Sequence, residues 1–213
     1  MRRFLPAATL FLSAGLAGCG AEGGNPAFRA SGEVIALSGG DGGAANACAT
    51  CHGLRGEGDG RLVPRLAGLD AGYLHRQLDD YHNGRREHVE MRAIVRRLSG
   101  EDRAKVSAYY AGLPATGASF VRSSKLYEER CASCHGANGE GGGAANPPLA
   151  GQSPVYIAAQ LKAWRAGKRR GDGMGVMLAI SRSLSPEEIN LLASHAEAVS
   201  PQPRRPSAPA ASR

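Results

Sequence analysis

The sequence contains one unit twice, and this repeat constrains the fold more than any other feature. When the chain is shifted by 83 residues, the stretch Cys48-Ala-Thr-Cys51-His52 falls on Cys131-Ala-Ser-Cys134-His135. Further matches follow in the same register, and they include Gly53 with Gly136, Pro64 with Pro147, Tyr73 with Tyr156, and Gln77-Leu78 with Gln160-Leu161. Such extended self-similarity indicates two copies of one domain in tandem.

The register of the repeat slips once, after the pair Gly84-Arg85. Met91 then matches Met177, and Leu98-Ser99 matches Leu184-Ser185, at a shift of 86 residues. The extra residues of the second copy lie in 169–175, a Gly-containing stretch that is typical of a loop. Because loops tolerate insertions, the slip is consistent with a repeated domain.

Each copy is predicted to be all-α. Helical spacing covers 73–83 in the first copy and 156–166 in the second. The stretches Ser99-Gly-Glu-Asp and Ser185-Pro-Glu-Glu each place acidic residues after a Ser cap, so they predict helices that run to about 113 and 199. A short helix is expected before each Cys motif, for example over 123–130, and no segment alternates as a strand does.

The repeated Cys motif is typical of covalent haem attachment. In Cys-x-x-Cys-His, the two thiols form thioethers with the haem vinyl groups and the adjacent imidazole ligates the iron. The sequence therefore predicts two haem c groups, held by Cys48, Cys51 and His52 in one copy and by Cys131, Cys134 and His135 in the other. The predicted fold class is all-α, with two tandem helical domains that each wrap around one haem.

Two other uses of the Cys motif are weaker explanations. A redox-active Cys-x-x-Cys pair requires neither a following His nor a second copy. Four Cys and two His have the chemistry of zinc ligands, but the two motifs stand 83 residues apart, each inside its own complete unit. Haem attachment explains both the His and the duplication.

A second axial ligand is predicted for each iron, and the repeat points to methionine. Met91 and Met177 occupy equivalent places in the two copies. Thioether ligation raises the reduction potential relative to His ligation, which suits an electron carrier. Met174 is the competing ligand in the second copy and His88 in the first, and a Met that only fills a core is the third reading.

The fifth cysteine, Cys19, lies in a different context. Residues 4–16 follow a charged start and are apolar, but they are too few to span a bilayer as a helix. The stretch Leu16-Ala17-Gly18-Cys19 resembles the lipobox of bacterial lipoproteins. We therefore predict a lipoprotein signal peptide over 1–18 and lipidation of Cys19, which would anchor a periplasmic protein to the membrane. A plain secretory signal, the alternative, leaves a free thiol in an oxidising compartment.

The remaining segments complete the predicted domain map. Residues 19–31 form a flexible tether, 28–113 the first domain, 119–199 the second domain, and 200–213 a disordered tail rich in Pro, Ala, Ser and Arg. The formal net charge of +7 falls toward neutrality once the signal peptide leaves and the haem propionates are added. The charge therefore gives no indication of nucleic-acid binding.

The chain is similar to the cytochrome c4 family over nearly all of residues 28–199. The resemblance rests on the two Cys-x-x-Cys-His-Gly stretches, the Pro-x-Leu-Ala-Gly segments, Tyr-x-x-x-Gln-Leu, and Met followed by Leu-Ser and an acidic helix start. It implies two class I cytochrome c domains with no catalytic residues, whose haems lie close together with propionates near the domain interface. It also implies that the carbonyls of Pro64 and Pro147 accept the Nδ1–H bond of each ligating His. The lipobox is a departure, because many relatives are held to the membrane by surface contact.

The predicted function is electron transfer between redox proteins, with no small-molecule substrate. The expected donor is a quinol-oxidising complex or a dehydrogenase, and the expected acceptor a terminal oxidase or reductase. Basic runs flank the Met sides and are expected to steer an acidic partner, unless they are ordinary solvated charge; they are Arg85-Arg86, Arg92, Arg96-Arg97 and Lys168-Arg169-Arg170. The alternatives are a two-haem peroxidase, which needs one open iron site, and a bound subunit of a larger dehydrogenase or oxidase complex.

Overall fold

The computed structural model describes residues 30–115 and 124–197, together with the backbone of 119–120. The helices of the first domain are α1 (Gly32–Ser38), α2 (Ala49–His52), α3 (Ala71–His82), α4 (Val89–Val95) and α5 (Gly100–Gly112). Those of the second domain are α6 (Lys125–Arg130), α7 (Ala132–His135), α8 (Pro154–Arg165), α9 (Val176–Ser183) and α10 (Pro186–Ser194). Short 3₁₀ turns at Gly40–Gly42 and Ala44–Asn46 connect α1 to α2. The predicted all-α class with two tandem domains is confirmed.

Helices α5 and α10 begin where the sequence predicts, and each begins with a reciprocal cap. The Ser99 hydroxyl accepts from the Asp102 amide at 3.1 Å, and the Asp102 carboxylate accepts from the Ser99 amide at 3.1 Å. Ser185 and Glu188 repeat the arrangement at 3.2 and 2.7 Å. These bonds satisfy amides that have no partner inside the helix, and the acidic groups favour the positive end of its dipole.

The end of the second domain differs from the prediction. Helix α10 stops at Ser194 rather than near residue 199, because the chain then forms β2 (Ala196–Glu197). This strand pairs antiparallel with β1 (Ser119–Phe120). The expectation that the chain contains no strand is therefore wrong at this one two-residue ladder, which ties the start of the second domain to its end.

Each domain has its own apolar core, built on equivalent helices. In the first domain α5 packs against α1 and α3, and in the second α8 packs against α9 and α10. The first core consists of Ile35, Ala36, Leu69, Tyr73, Leu74, Leu98, Val106 and Tyr110. The second consists of Tyr127, Ile157, Leu161, Leu184, Ile189, Leu192, Ala193 and Ala196. None of the helices among the described residues is long and apolar enough to cross a membrane.

The two domains meet along the segments that follow α3 and α8. The Glu87 amide donates to the Lys168 carbonyl at 2.8 Å, and the Arg170 amide donates to the Arg85 carbonyl at 2.7 Å. Arg86 and Arg169 sit between these bonds and are buried. The expectation that they belong to a partner-steering surface is therefore wrong, because domain packing has covered them.

A second contact between the domains involves Arg65, which is also buried. Its amide donates to the Gln152 side chain at 3.1 Å, and the Gln152 amide group donates back to the Arg65 carbonyl at 2.8 Å. The Arg65 guanidinium donates to the carbonyls of Gly151 at 3.3 Å and Ala150 at 3.1 Å. Burial lowers the pKa of Arg65, as expected for a cation that carbonyl oxygens alone surround.

Candidate functional site

The two Cys motifs form equivalent short helices. In the first domain Cys48 precedes α2, and His52 is its last residue. In the second domain Cys131 precedes α7, and His135 is its last residue. Both histidines are 8 % exposed. The first Cys of each pair is half-buried and the second is exposed, so one turn of helix directs both thiols and the imidazole to the same part of the domain.

Each imidazole is fixed by the carbonyl that the family resemblance singles out. His52 Nδ1 lies 2.9 Å from the Pro64 carbonyl oxygen, and His135 Nδ1 lies 2.9 Å from that of Pro147. A carbonyl oxygen can only accept, so Nδ1 is the protonated nitrogen in both rings. Nε2 therefore carries the lone pair that a metal requires.

The loop that carries each Pro is held by a glycine that sequence reasoning missed. The Gly58 amide donates to the His52 carbonyl at 2.8 Å, and the Gly141 amide donates to the His135 carbonyl at 2.7 Å. Both glycines have positive φ, 76° and 72°. A Cβ at Gly58 would lie 2.6 Å from the Val63 carbonyl oxygen, so only Gly allows the loop to close over the His. Their equivalence at a shift of 83 residues was the available signal.

Burial sets the protonation of the site residues. It lowers the pKa of His52 and of His135, against the opposing effect of the Pro carbonyls, so both rings favour the neutral form that ligates metals. Burial also raises the pKa of Cys48 and of Cys131 to about 11. Both thiols therefore remain protonated at neutral pH, unlike those of a redox-active Cys pair, whose pKa is lowered.

The two predicted axial methionines lie in the first turns of equivalent helices. Met91 is the third residue of α4, and Met177 is the second residue of α9; both are half-buried. Met177 packs against the core of the second domain. Met174, its competitor, is 90 % exposed, which favours Met177 as the ligand.

The loops that precede the methionines use different caps. The Met177 amide donates to the Asp172 carboxylate at 2.5 Å. In the first domain the Met91 amide donates to His88 Nδ1 at 3.4 Å, and the same nitrogen lies 3.1 Å from the Glu90 carboxylate. Since one ring nitrogen cannot accept and donate at once, the shorter Glu90 contact competes with the cap. His88 is thus a cap on an exposed helix start, which favours Met91 as the ligand.

The donors present fit haem c. Each domain offers two thiols for thioether bonds, one imidazole with Nε2 available, and one thioether sulfur. The two sets lie in separate domains, and within the described ranges no three or more Cys, His, Asp or Glu side chains gather as they would around a zinc ion.

Comparisons with known proteins agree with this chemistry. The protein-family model described as cytochrome c matches residues 40–113 and again 120–198. A curated relative, the thiosulfate dehydrogenase electron acceptor of Stutzerimonas stutzeri (strain A1501), is 40 % identical over 79 % of this chain and 86 % of its own length. Cytochrome c4 of Pseudomonas aeruginosa is 34 % identical over 70 % of this chain and 81 % of its own length.

A solved structure shows the same fold. The thiosulfate dehydrogenase of Marichromatium purpuratum, in its as-isolated form, matches with a TM-score of 0.66 and 38 % identity. The match covers 79 % of this chain but only 39 % of that one, so this chain spans well under half of that protein. With the duplicated family match and the four cysteines in place, the chain carries two covalently bound haem c groups.

Proposed function

The chain belongs to the cytochrome c family, among the two-haem relatives of cytochrome c4, and from this membership we propose that it accepts electrons from a thiosulfate dehydrogenase. One observation carries the choice of donor. The chain is 40 % identical, over 86 % of its partner's length, to a protein described as a thiosulfate dehydrogenase electron acceptor, against 34 % to a cytochrome c4. The likeness to part of a thiosulfate dehydrogenase chain supports the same donor.

The site residues have distinct roles in this function. Haem c, when bound, supplies an iron that changes by one electron between its ferric and ferrous states. His52 and His135 hold the iron through Nε2, with Pro64 and Pro147 keeping each ring in place. Met91 and Met177 complete the coordination and raise the potential. With both axial positions filled by protein, the chain carries electrons and binds no substrate.

The N-terminal segment would keep this carrier at the membrane. Cys19 lies outside the described residues, and its lipidation remains a proposal that rests on Leu16-Ala17-Gly18-Cys19. A lipidated Cys19 would hold the two domains at the periplasmic face, within reach of a membrane oxidase or reductase that takes the electrons onward. Replacing Cys19 by Ser should release the protein into the soluble periplasmic fraction. Equal membrane retention of wild type and Cys19→Ser would contradict the anchor.

Exposed arginines of α4 are the remaining candidates for steering the partner. Arg92, Arg96 and Arg97 are exposed on the helix that carries Met91. Charge steering affects the association rate and weakens with salt. We expect Arg96→Glu to slow electron uptake at low salt, whereas Lys125→Glu on α6, 88 % exposed, serves as the matched control. Equal rates in the two variants would show that α4 does not receive the donor.

The donor is tested by anaerobic reduction of the oxidised chain. Purified thiosulfate dehydrogenase and thiosulfate should reduce both haems, seen as growth of the haem c α band to its full dithionite-reduced height. Omitting either the enzyme or thiosulfate should abolish the reduction. If the chain stays oxidised with thiosulfate dehydrogenase but is reduced by a quinol-oxidising complex, the proposed donor is wrong and the second expected donor replaces it.

A further inference from the structure

Two buried guanidinium groups face each other across the domain boundary. Arg86 is 5 % exposed and Arg169 is 7 % exposed, and their backbones form an antiparallel bridge. They are equivalent under the repeat, at a shift of 83 residues. We call them the interface arginines. Each one stacks on an aromatic ring of its own domain, Arg86 at 4.6 Å from the Tyr81 centroid and Arg169 at 4.8 Å from that of Trp164.

Arg86 reaches across the boundary to the second domain. Its Nη1 donates to the Gln77 side-chain oxygen of its own domain at 2.9 Å. Its Nη2 donates to the Tyr156 hydroxyl at 2.7 Å and to the Gln160 side-chain oxygen at 2.6 Å. Half of this guanidinium is thus bound by the opposite domain.

Arg169 makes the reverse crossing. Its Nη1 donates to Gln160 of its own domain at 3.1 Å. Its Nη2 donates to the Tyr73 hydroxyl at 3.1 Å and to the Gln77 side-chain oxygen at 2.8 Å. The six bonds form one crossed network, in which each glutamine oxygen accepts from both interface arginines.

This network contains charge without a counter-charge. All four acceptor side chains are neutral, and neither interface arginine makes an ion pair with a carboxylate in the part of the chain that the structure describes. The buried carboxylate of Asp80 instead accepts from Arg85 Nε at 2.8 Å. The Nε atom of Arg169 is buried without a partner. Buried cations ordinarily occur with an anion, because their desolvation is costly.

The electrostatics connect each interface arginine to the haem ligand of its own domain. Burial is the main cause that lowers the pKa of His52, and the positive charge of Arg86 adds to it. Burial likewise lowers the pKa of His135, with a further contribution from Arg169. A charge that acts on the imidazole also acts on an iron that the imidazole would hold.

We propose that Arg86 and Arg169 form a shared anion site that binds one propionate of each haem and raises both reduction potentials. A guanidinium binds a carboxylate through a charge-assisted fork, and Arg169 has the free Nε–H for it. A fixed cation favours the ferrous state, whose iron carries one positive charge fewer. The inference rests on the two covalent haems and is independent of the thiosulfate dehydrogenase donor.

Charge-neutralising variants test the anion site through the potential of each haem. In Arg86→Gln we expect the first-domain haem to lose at least tenfold in its ferrous-to-ferric ratio at fixed potential, a fall of about 59 mV for one electron. The second-domain haem should move less, and Arg169→Gln should reverse the pattern. Nuclear magnetic resonance signals of the axial methionine methyls, assigned with Met91→Ala and Met177→Ala, distinguish the two haems during the titration.

Matched controls separate charge from packing. Tyr156→Phe and Tyr73→Phe each remove one neutral bond of the same network and keep both cations, so their potentials should stay close to wild type. Equal shifts in Arg86→Gln and Tyr156→Phe would overturn the proposal, as would shifts in Arg86→Gln and Arg169→Gln that do not follow the domain. No donor enzyme is used, so a failed dehydrogenase assay cannot produce these outcomes.

A second measurement covers variants that do not retain two haems. Arg86→Lys keeps the charge but lacks the fork, and the propionate bending band in its resonance Raman spectrum should shift relative to wild type. An unchanged band would place the propionates away from Arg86 and overturn the proposal.

Discussion

In the second domain the amide of Met177 is held by Asp172, whereas in the first domain the amide of Met91 shares one nitrogen of His88 with the Glu90 carboxylate. The histidine side shows no such difference, since both rings lie 2.9 Å from a Pro carbonyl. Two thioether bonds and the adjacent His come from one short helix, which leaves little freedom. The methionine comes from a distant loop, so that loop can change its length and its cap while the ligand is kept.

Removing a methionine should have the largest effect on this comparison. Met91→Ala and Met177→Ala should each remove about half of the methionine–iron charge-transfer absorbance of the oxidised protein, because each takes one ligand from one haem. Met174→Ala is the matched control and should leave the absorbance unchanged. If Met174→Ala removes the absorbance of the second haem instead, Met177 is not its ligand.

Truncating one core residue in each domain comes next. Ile35 is 2 % exposed in the first core and Ile189 is 1 % exposed in the second. Replacing either by Ala should lower the free energy of unfolding by about 2–5 kcal/mol, because the lost contacts leave a cavity. Chemical denaturation measures the change. Leu191→Ala, at a position 47 % exposed, should change it by under about 0.5 kcal/mol.

The two caps predict a smaller, unequal effect. Asp172→Ala removes a dedicated acceptor and should destabilise the second domain by about 1 kcal/mol. His88→Ala should cost less, because its bond to Met91 is long and exposed and the same nitrogen also serves Glu90. Thermal unfolding of the two variants provides the comparison. A larger loss in His88→Ala than in Asp172→Ala would reverse the account of the Met loops.

High pH should weaken both domains in the same direction. Burial raises the pKa of Tyr81 in the first domain and of Tyr127 in the second to about 12. An unfolded Tyr ionises near pH 10, so the stability from burying the neutral phenol is complete below about pH 10 and is lost as the pH rises toward about 12. Tyr81→Phe should therefore show a shallower decline in melting temperature over that range. An unchanged slope would show that Tyr81 does not contribute.

Sequence reasoning succeeded where the determinants are local. The Ser99 and Ser185 caps depend on residues within one helical turn, and both helices begin as predicted. It failed where distant segments decide. The end of α10 depends on pairing with residues 119–120, and the burial of Arg86 depends on the packing of a second domain against it. A basic run looks the same in a sequence whether it meets solvent or another domain.

The choice between the two methionines of the second domain shows the same limit. The repeat favoured Met177 over Met174 from register alone, and the exposure of Met174 adds a physical reason. The Asp172 cap had no counterpart in the first domain at the shift of 86 residues, so the repeat held no signal for it. The interface arginines did have that signal, as an equivalent pair, but only the fold shows that they cross.

The central claim is that the two domains hold two haems in equivalent His/Met coordination. The optical spectrum of the oxidised wild-type protein tests it most directly. The methionine–iron charge-transfer band should have the intensity of two methionine-ligated haems per chain, with no high-spin signal. A band with the intensity of one haem, together with a high-spin signal, would contradict the claim and indicate that one iron lacks its methionine.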